Sequence, residues 1–392
     1  YFLFPKIQNS FFKEEINFFV PIIIIWLIAY TSYSQTADYY RYTLKVGIFN
    51  IINISQPYLH ILFIVILLYV TQGMNINLIF ISQIAAIMLT TIPFLLRIPY
   101  EIGFKPVKIN INELIDSIKI GFPLVIGFII DFILNAGDRY IIALFLTIEK
   151  VAYYSAAYTL GSLIILFPKA ISVILPQLLS KSYDNNREDR VRTMLNYSVK
   201  GFYMLCIPFI IGGYLMGKPI LTIYSNAKIA DNSYYLIPLV GLGILFYGFS
   251  TIFSNMLFVK MKTKEIFKVN MMAAILNIIL NTIFIFLFKS IVVAALTTII
   301  SYFFSFIYIY LLVSKDWCYN FDFIGILKCI LASLLMGVCL VLIKPFFSDG
   351  NSLLLMVQIL IGMIIYGKSL FLINFFSKKE LLFIKQIFIK IE

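Results

Sequence analysis

"GFPLVIGFIIDFILNAGDRYIIALFL" runs from Gly121 to Leu146 and is apolar almost throughout, yet it carries Asp131, Asp138 and Arg139. How these charges are accommodated decides the fold. At helical spacing Asp131, Asn135, Asp138 and Arg139 fall at i, i+4, i+7 and i+8, a single stripe along one side of a helix. A polar stripe on an otherwise greasy helix is a soluble helix turned inside out. It belongs against a wetted cavity or other polar helices, with hydrocarbon around the rest. A charge left at the centre of a bilayer costs at least about 2.5–3.5 kcal/mol. Two arrangements remove that cost: the wall of a solvated passage, or a structural ion pair, most simply Arg139 with Asp131 or with a carboxylate on another helix.

The rest of the chain fits this setting. Its 392 residues are 61% hydrophobic and 13% charged, where soluble domains average about 45–50% and about 25%. Apolar runs follow one another and do not alternate, which argues for an all-α, polytopic helical membrane protein and against a barrel. Eleven spanning segments are expected, at 17–36, 44–70, 76–96, 119–147, 152–176, 199–224, 234–259, 266–288, 291–313, 323–344 and 352–375. Pro21, Pro57, Pro93, Pro123, Pro168, Pro208 and Pro238 fall inside them and predict kinks or packing adjustments.

Net charge is +12, but its placement points to topology and away from nucleic acid. Lys and Arg gather on alternate loops: Arg41 and Lys45; Arg97 to Lys119; Lys181 to Lys200; Lys260 to Lys268; Lys315 and Lys328; Lys378 to Lys390. The intervening loops carry far fewer. By the positive-inside rule the C-terminus and the loops at about 97–118 and 177–198 are expected to be cytoplasmic.

The chain offers no enzyme chemistry. His60 stands alone, so multi-histidine metal sites are excluded and no metal is expected. Cys206, Cys318, Cys329 and Cys339 form no CxxC pair, and no phosphate-binding loop, nucleophile elbow or HExxH appears. Catalytic residues and cofactors are therefore not expected, and transport would run on a proton or sodium gradient or on downhill substrate flow.

Several other polar groups lie within or at the ends of spans. Lys169 follows the stripe by one helix and would either meet a substrate phosphate or snorkel to the surface. Arg41 and Lys119 sit where a phosphate headgroup would enter, or serve as plain inside anchors. Asn277 and Asn281, four apart, would bond to a neighbouring helix or contact sugar hydroxyls. Asn50, Asn53, Gln56 and His60 form a polar strip in which His60 is a candidate proton relay. Tyr39–Leu67 and Phe258–Phe286 share a layout of two basic residues four apart (Arg41 and Lys45; Lys260 and Lys264) before a long apolar span, as in a transporter built from repeated bundles.

The ordered stretches Gly121–Leu179, Leu221–Asn281 and Gln35–Lys45 resemble the polysaccharide-biosynthesis flippases of the multidrug/oligosaccharidyl-lipid/polysaccharide exporter superfamily. The likeness rests on Asp138-Arg139 late in a helix, a Val151–Tyr158 turn, Pro176, the asparagines Asn277 and Asn281, and the Arg41 turn. Two family glycines are replaced, by Ala152 and Val293. Wzx-type O-antigen flippases look nearest. The resemblance implies fourteen helices, two lobes of six plus two. The chain opens Tyr1-Phe2-Leu3 without Met, so the eleven spans would be the fourth to the fourteenth. Residues 1–118 would then be the remainder of the first lobe with three helices, 119–313 the second lobe with six, and 314–392 two additional helices and a tail. It further implies a multi-pass protein of the bacterial inner membrane that carries an undecaprenyl-pyrophosphate-linked oligosaccharide by alternating access, among membrane lipid and other polysaccharide-assembly proteins. Arg139, Lys169, Arg41, Lys119, Asn277 and Asn281 are the candidate substrate contacts. Asp131, Asp138 and His60 are the candidate counter-ions or ion-coupling groups. A cation antiporter of the same superfamily, and a membrane polymerase or glycosyltransferase, are the competing expectations.

Overall fold

A computed structural model describes residues 16–43, 45–71, 76–103, 111–185, 187–315, 321–343, 352–377 and 380. Among these residues the chain is helical with no strand. Its helices are α1 (Ile16–Tyr42), α2 (Val46–Thr71), α3 (Ile76–Ile102), α4 (Ile111–Phe145), α5 (Ile148–Gly161), α6 (Leu166–Asp184), α7 (Glu188–Tyr224), α8 (Ala227–Ser233), α9 (Leu236–Val259), α10 (Thr263–Phe288), α11 (Ile291–Ser314), α12 (Phe323–Ile343) and α13 (Ser352–Leu372). Nine stretches of the described residues are long and apolar enough to cross a membrane. The other two expected spans are also helices, α1 and α4.

The chain divides into two compact units, Tyr1–Leu114 and Ile115–Glu392. In the first, α1, α2 and α3 pack on one another around Ala37, Tyr40 and Ile52. Tyr33 Oη donates to Asn53 Oδ1 at 2.9 Å, and Tyr40 Oη to the carbonyl of Phe94 at 3.0 Å. Lys45 and Arg97, two of the expected inside anchors, converge on Glu101 at 2.8 and 2.9 Å.

In the second unit α9 is the central post. Of its apolar window 61% is buried, and 50% of that of α11, against which it packs most extensively. One half of α9, Leu236 to Ile244, enters a core with α4, α5, α10 and α11. The other half, Phe249 to Leu257, enters a second core with α6, α7, α12 and α13. Where lipid competes equally well for apolar side chains, small and polar groups lock helices together. Ser250 and Ser305 hydroxyls meet at 2.9 Å, Asn255 Nδ2 donates to Ser172 Oγ at 2.9 Å, and Tyr366 Oη donates to the carbonyl of Met204 at 2.6 Å. Large apolar side chains such as Ile278, Leu287, Leu331 and Leu342 remain exposed, as a lipid-facing surface requires.

Helix boundaries follow local chemistry and correct three expectations. The span placed at 152–176 is broken. Pro168 lacks an N–H and its ring crowds the carbonyl four residues back, so the chain passes through a short 3-10 turn at Leu163–Ile165 before α6 resumes. Pro168 and Pro238 thus stand in the first turns of α6 and α9, where the missing N–H is no loss. The loop placed at 177–198 is mostly helix. α6 runs on to Asp184 and α7 starts at Glu188, and Val191 and Leu195 are buried where a solvated loop was expected. Val151–Tyr158, expected as a turn, lies inside α5, which begins earlier because Thr147 Oγ1 caps the N–H of Lys150. The repeat suggested by Tyr39–Leu67 and Phe258–Phe286 corresponds in both places to two helices joined by a short connection, at α1–α2 and α9–α10.

Gly161 carries the close approach of α5 to α9. A methyl group there would stand 2.8 Å from Val240 Cβ and 2.9 Å from the carbonyl oxygen of Ile237, neither of which can swing aside. Gly161→Ala is expected to cost about 1–3 kcal/mol by overpacking. Thermal unfolding of the purified protein in detergent reads this as a lowered midpoint, and an unchanged midpoint would mean that α5 and α9 can part freely.

Candidate functional site

The stripe on α4 divides in two. On a helix Asp138 lies about 20° to one side of Asp131, while Asn135 and Arg139 lie about 40° and 80° to the other. That small difference sends Asp138 into the helix bundle and leaves Asp131, Asn135 and Arg139 on the more open side. Asp138 is wholly buried; Asp131 is exposed; Asn135 and Arg139 are half-buried.

α4 enters a core of the second unit through Ile130, Leu134 and Ile142. Four tyrosines add polar contacts. Tyr154 Oη donates to Asp138 Oδ2. Tyr247 Oη donates to Asp131 Oδ1 at 3.0 Å. Tyr302 Oη donates to the carbonyl of Leu134 at 2.7 Å, and the Tyr158 ring lies under the Arg139 guanidinium with 4.7 Å from Cζ to centroid. Tyrosine suits this task because its ring is apolar enough for a membrane interior and its hydroxyl still reaches a partner.

Behind the stripe a chain of hydrogen bonds crosses α4, α11 and α10. Thr298 Oγ1 lies 3.2 Å from Asp138 Oδ2 and 2.8 Å from the carbonyl of Ala294. Asn277 Nδ2 donates to Thr298 Oγ1 at 3.2 Å, Asn281 Nδ2 to Asn277 Oδ1 at 3.0 Å, and Thr297 Oγ1 to Asn281 Oδ1 at 2.6 Å. The space enclosed by Tyr154, Tyr158, Thr298 and Tyr302 is too small for a water molecule. Asp138 itself is wholly enclosed by protein in this seam, with Oδ1 unpartnered, and here the expectation that all three charges border a passage gives way. Asn277 and Asn281 are wholly enclosed in the same seam and bonded between α10 and α11. The geometry carries their interhelical role, and in this structure neither offers an atom to a sugar hydroxyl.

Arg139 is different. Among the described residues it forms no ion pair with a carboxylate, neither Asp131 nor Asp138 lying within 4.0 Å of it. Its one hydrogen bond, Nη1 to the carbonyl of Asn135, is 3.4 Å long, and its buried Nε has no acceptor. Among the described residues, then, Arg139 has neither of the ion pairs that a structural role would use. Asp131 finds its partners elsewhere, since Oδ1 accepts from Asn135 Nδ2 at 3.0 Å as well as from Tyr247.

The remaining candidates do not join this cluster. Lys169 is exposed in the first turn of α6. The Lys119 side chain lies outside the described residues. Arg41, in the first unit, is exposed and stands 4.0 Å from Asp38. His60, also in the first unit, is half-buried with Nε2 at 3.3 Å from the carbonyl of Ile79. Cys206 and Cys329 are buried free thiols, and Cys318 lies outside the described residues. At one end of the second unit α8 is strapped by two ion pairs the spacing did not foretell, Lys228 to Glu149 at 2.6 Å and Lys218 to Asp231 at 2.7 Å. Hydrogen bonds from Lys228 and Tyr153 hold the Glu149 carboxyl below its usual range. No cluster of His, Cys, Asp and Glu fit to hold a metal occurs among the described residues.

The site is thus a half-exposed guanidinium, without a carboxylate partner among the described residues, beside a sealed carboxylate network. A family model described as "Lipid II flippase MurJ" matches residues 14–363 of the chain. Among curated proteins the chain is similar to the "Probable low-salt glycan biosynthesis flippase Agl15" of Haloferax volcanii, at 27% identity over 230 residues, covering 58% of this chain and 48% of that protein. It is also similar to the "Probable flippase AglR" of the same organism, at 26% identity over 166 residues, covering 42% and 34%. The matched stretch spans about half the length of the first relative and a third of the second. Among solved structures it is similar to "Lipid II flippase MurJ, inward closed conformation", with a TM-score of 0.67 and 22% identity over 89% of this chain and 70% of that one. At that identity the likeness is one of fold.

Proposed function

The chain belongs to the MurJ lipid II flippase family, transporters and not enzymes, and from that premise we propose that it moves a polyprenyl-pyrophosphate-linked glycan across a membrane by alternating access. The cargo is an undecaprenyl-pyrophosphate-linked O-antigen repeat unit, and the membrane is the bacterial inner membrane, with the C-terminus on the cytoplasmic side. The hydrophilic head passes along protein while the lipid tail stays in the bilayer. No bond is made or broken.

One observation carries this reading. Arg139 is a cation on an apolar helix with no carboxylate partner among the described residues and a buried Nε without an acceptor. Such a group is costly unless an anion visits it, and a guanidinium fork matches two oxygens of a pyrophosphate. Lys169 and Arg41, both exposed, and Lys119 are the further cations that would guide the head. The antiporter reading asks for an accessible, unsatisfied carboxylate. Asp131 is accessible but already accepts from Asn135 and Tyr247, and Asp138 is sealed. Asp138 is instead assigned as a counter-ion or proton-coupling group, since the Tyr154 and Thr298 hydroxyls can relay a proton, though no larger cation, to a sealed carboxylate; Asp131 and, in the first unit, His60 share that assignment.

A strain deleted for this gene tests the reading. Single lipid-linked glycan units are expected to accumulate on the cytoplasmic leaflet and to clear when the gene is restored. Units that still reach the outer leaflet at the normal rate would overturn it.

A further inference from the structure

We infer that Tyr158 is the positioning residue for Arg139, a ring platform that turns the edge of the guanidinium toward an anionic substrate; this rests on the reading of Arg139 given above. Tyr158 is buried at 5% exposure, and the Arg139 Cζ stands 4.7 Å above its ring centre. A cation over an aromatic face is held by the ring quadrupole. All the N–H bonds of a guanidinium lie in its own plane, so an aromatic face occupies none of them. The platform therefore fixes the side chain while leaving its donor edge free, which a carboxylate partner would not do. The open side of the guanidinium is that of its Nη groups: Nη2 makes no hydrogen bond among the described residues and Nη1 reaches only the Asn135 carbonyl at 3.4 Å, while Nε is enclosed without an acceptor.

The platform is itself braced. Tyr158 Oη lies 3.4 Å from Tyr302 Oη, and Tyr302 Oη donates to the carbonyl of Leu134 on α4. The Tyr154 ring flanks Tyr158 at 5.8 Å, and the Tyr247 ring lies 4.9 Å from that of Tyr302. The ring beneath Arg139 is thus tied to the helix that bears Arg139. A cation freed from this support would snorkel toward water and would meet a phosphate in many geometries instead of one.

The test uses the full chain in lipid nanodiscs, with farnesyl pyrophosphate as the probe and binding read by calorimetry. Tyr158→Leu is expected to weaken binding about tenfold, in keeping with a desolvated cation–π contact, and Tyr158→Phe to leave it within about threefold. A series of progressively fluorinated phenylalanines at position 158 keeps the ring's shape while draining its quadrupole. Affinity is expected to fall stepwise along that series with the unfolding midpoint unchanged, a trend that a merely structural ring would not produce. Flat affinity across the series overturns the inference even if Tyr158→Leu fails to fold, and so does an equal loss in Tyr158→Phe. Arg139→Ala separates the two claims. If it leaves farnesyl pyrophosphate binding intact, the anion-site reading falls. If it abolishes binding while the fluorinated series is flat, only the platform falls.

Discussion

Arg139→Ala is expected to reduce glycan export by about 10- to 100-fold, the equivalent of the ~1.5–3 kcal/mol that a hydrogen bond to a charged group contributes, while the protein stays folded and membrane-inserted. Stability is spared because Arg139 makes no ion pair among the described residues and only one long hydrogen bond. Removing it relieves an unmet polar group instead of creating one. Arg139→Lys tests the geometry of the fork: it keeps the charge but offers a point donor on a flexible stem, and intermediate activity is expected. The measurement is the rate at which lipid-linked glycan reaches the outer leaflet, compared at equal protein in the membrane. Export at the wild-type rate in Arg139→Ala would remove this residue from substrate handling and, with it, the main physical support for an anionic cargo.

The sequence makes the greasy spans, the α4 stripe and the Asn277/Asn281 pair legible, because helical spacing and polarity are local properties. What it could not resolve is rotation. Asp138 and Arg139 are neighbours, yet one is sealed and the other open, because a helix turns about 100° between them and their surroundings come from α5, α9 and α11. The four tyrosines that hold α4 were also hidden. Among 26 tyrosines a hydroxyl that reaches a carboxylate looks no different from one that faces lipid headgroups. Tyr154 and Tyr158, four apart in an otherwise apolar stretch beside a charge stripe, were the available signal. The break before Pro168 was readable from proline chemistry alone. The helical run through 177–198 was not, because its charges suggested solvent while Val191 and Leu195 find a core supplied by distant helices.

Asp138 carries the second large effect. Its Oδ2 accepts from Tyr154 and faces Thr298, but the Thr298 hydroxyl has a single proton and the Ala294 carbonyl lies closer, at 2.8 Å against 3.2 Å. The hydroxyl can serve one acceptor at a time. Turned toward Asp138 it supports a carboxylate; turned toward Ala294 it leaves Asp138 to supply a proton of its own. The seam thus has two self-consistent arrangements that differ by one charge on Asp138, and behind it Asn277 bonds to Thr298 and Asn281 to Asn277. Two variants separate packing from charge. Asp138→Leu leaves the Tyr154 hydroxyl without its acceptor at a cost of about 1–3 kcal/mol, while Thr298 keeps the Ala294 carbonyl, and the expected result is a lowered unfolding midpoint. Asp138→Asn keeps the shape and an acceptor for Tyr154 but cannot change charge. It is expected to unfold within a few degrees of wild type yet to lose the acceleration of transport by an imposed proton gradient, about tenfold for one proton moving down one pH unit, which carries ~1.4 kcal/mol. Proteoliposomes with and without the gradient read the difference. Undiminished gradient dependence in Asp138→Asn would leave Asp138 as a structural polar group that fastens α4 to α5 and α11, and coupling would have to be sought at Asp131 or in the first unit at His60.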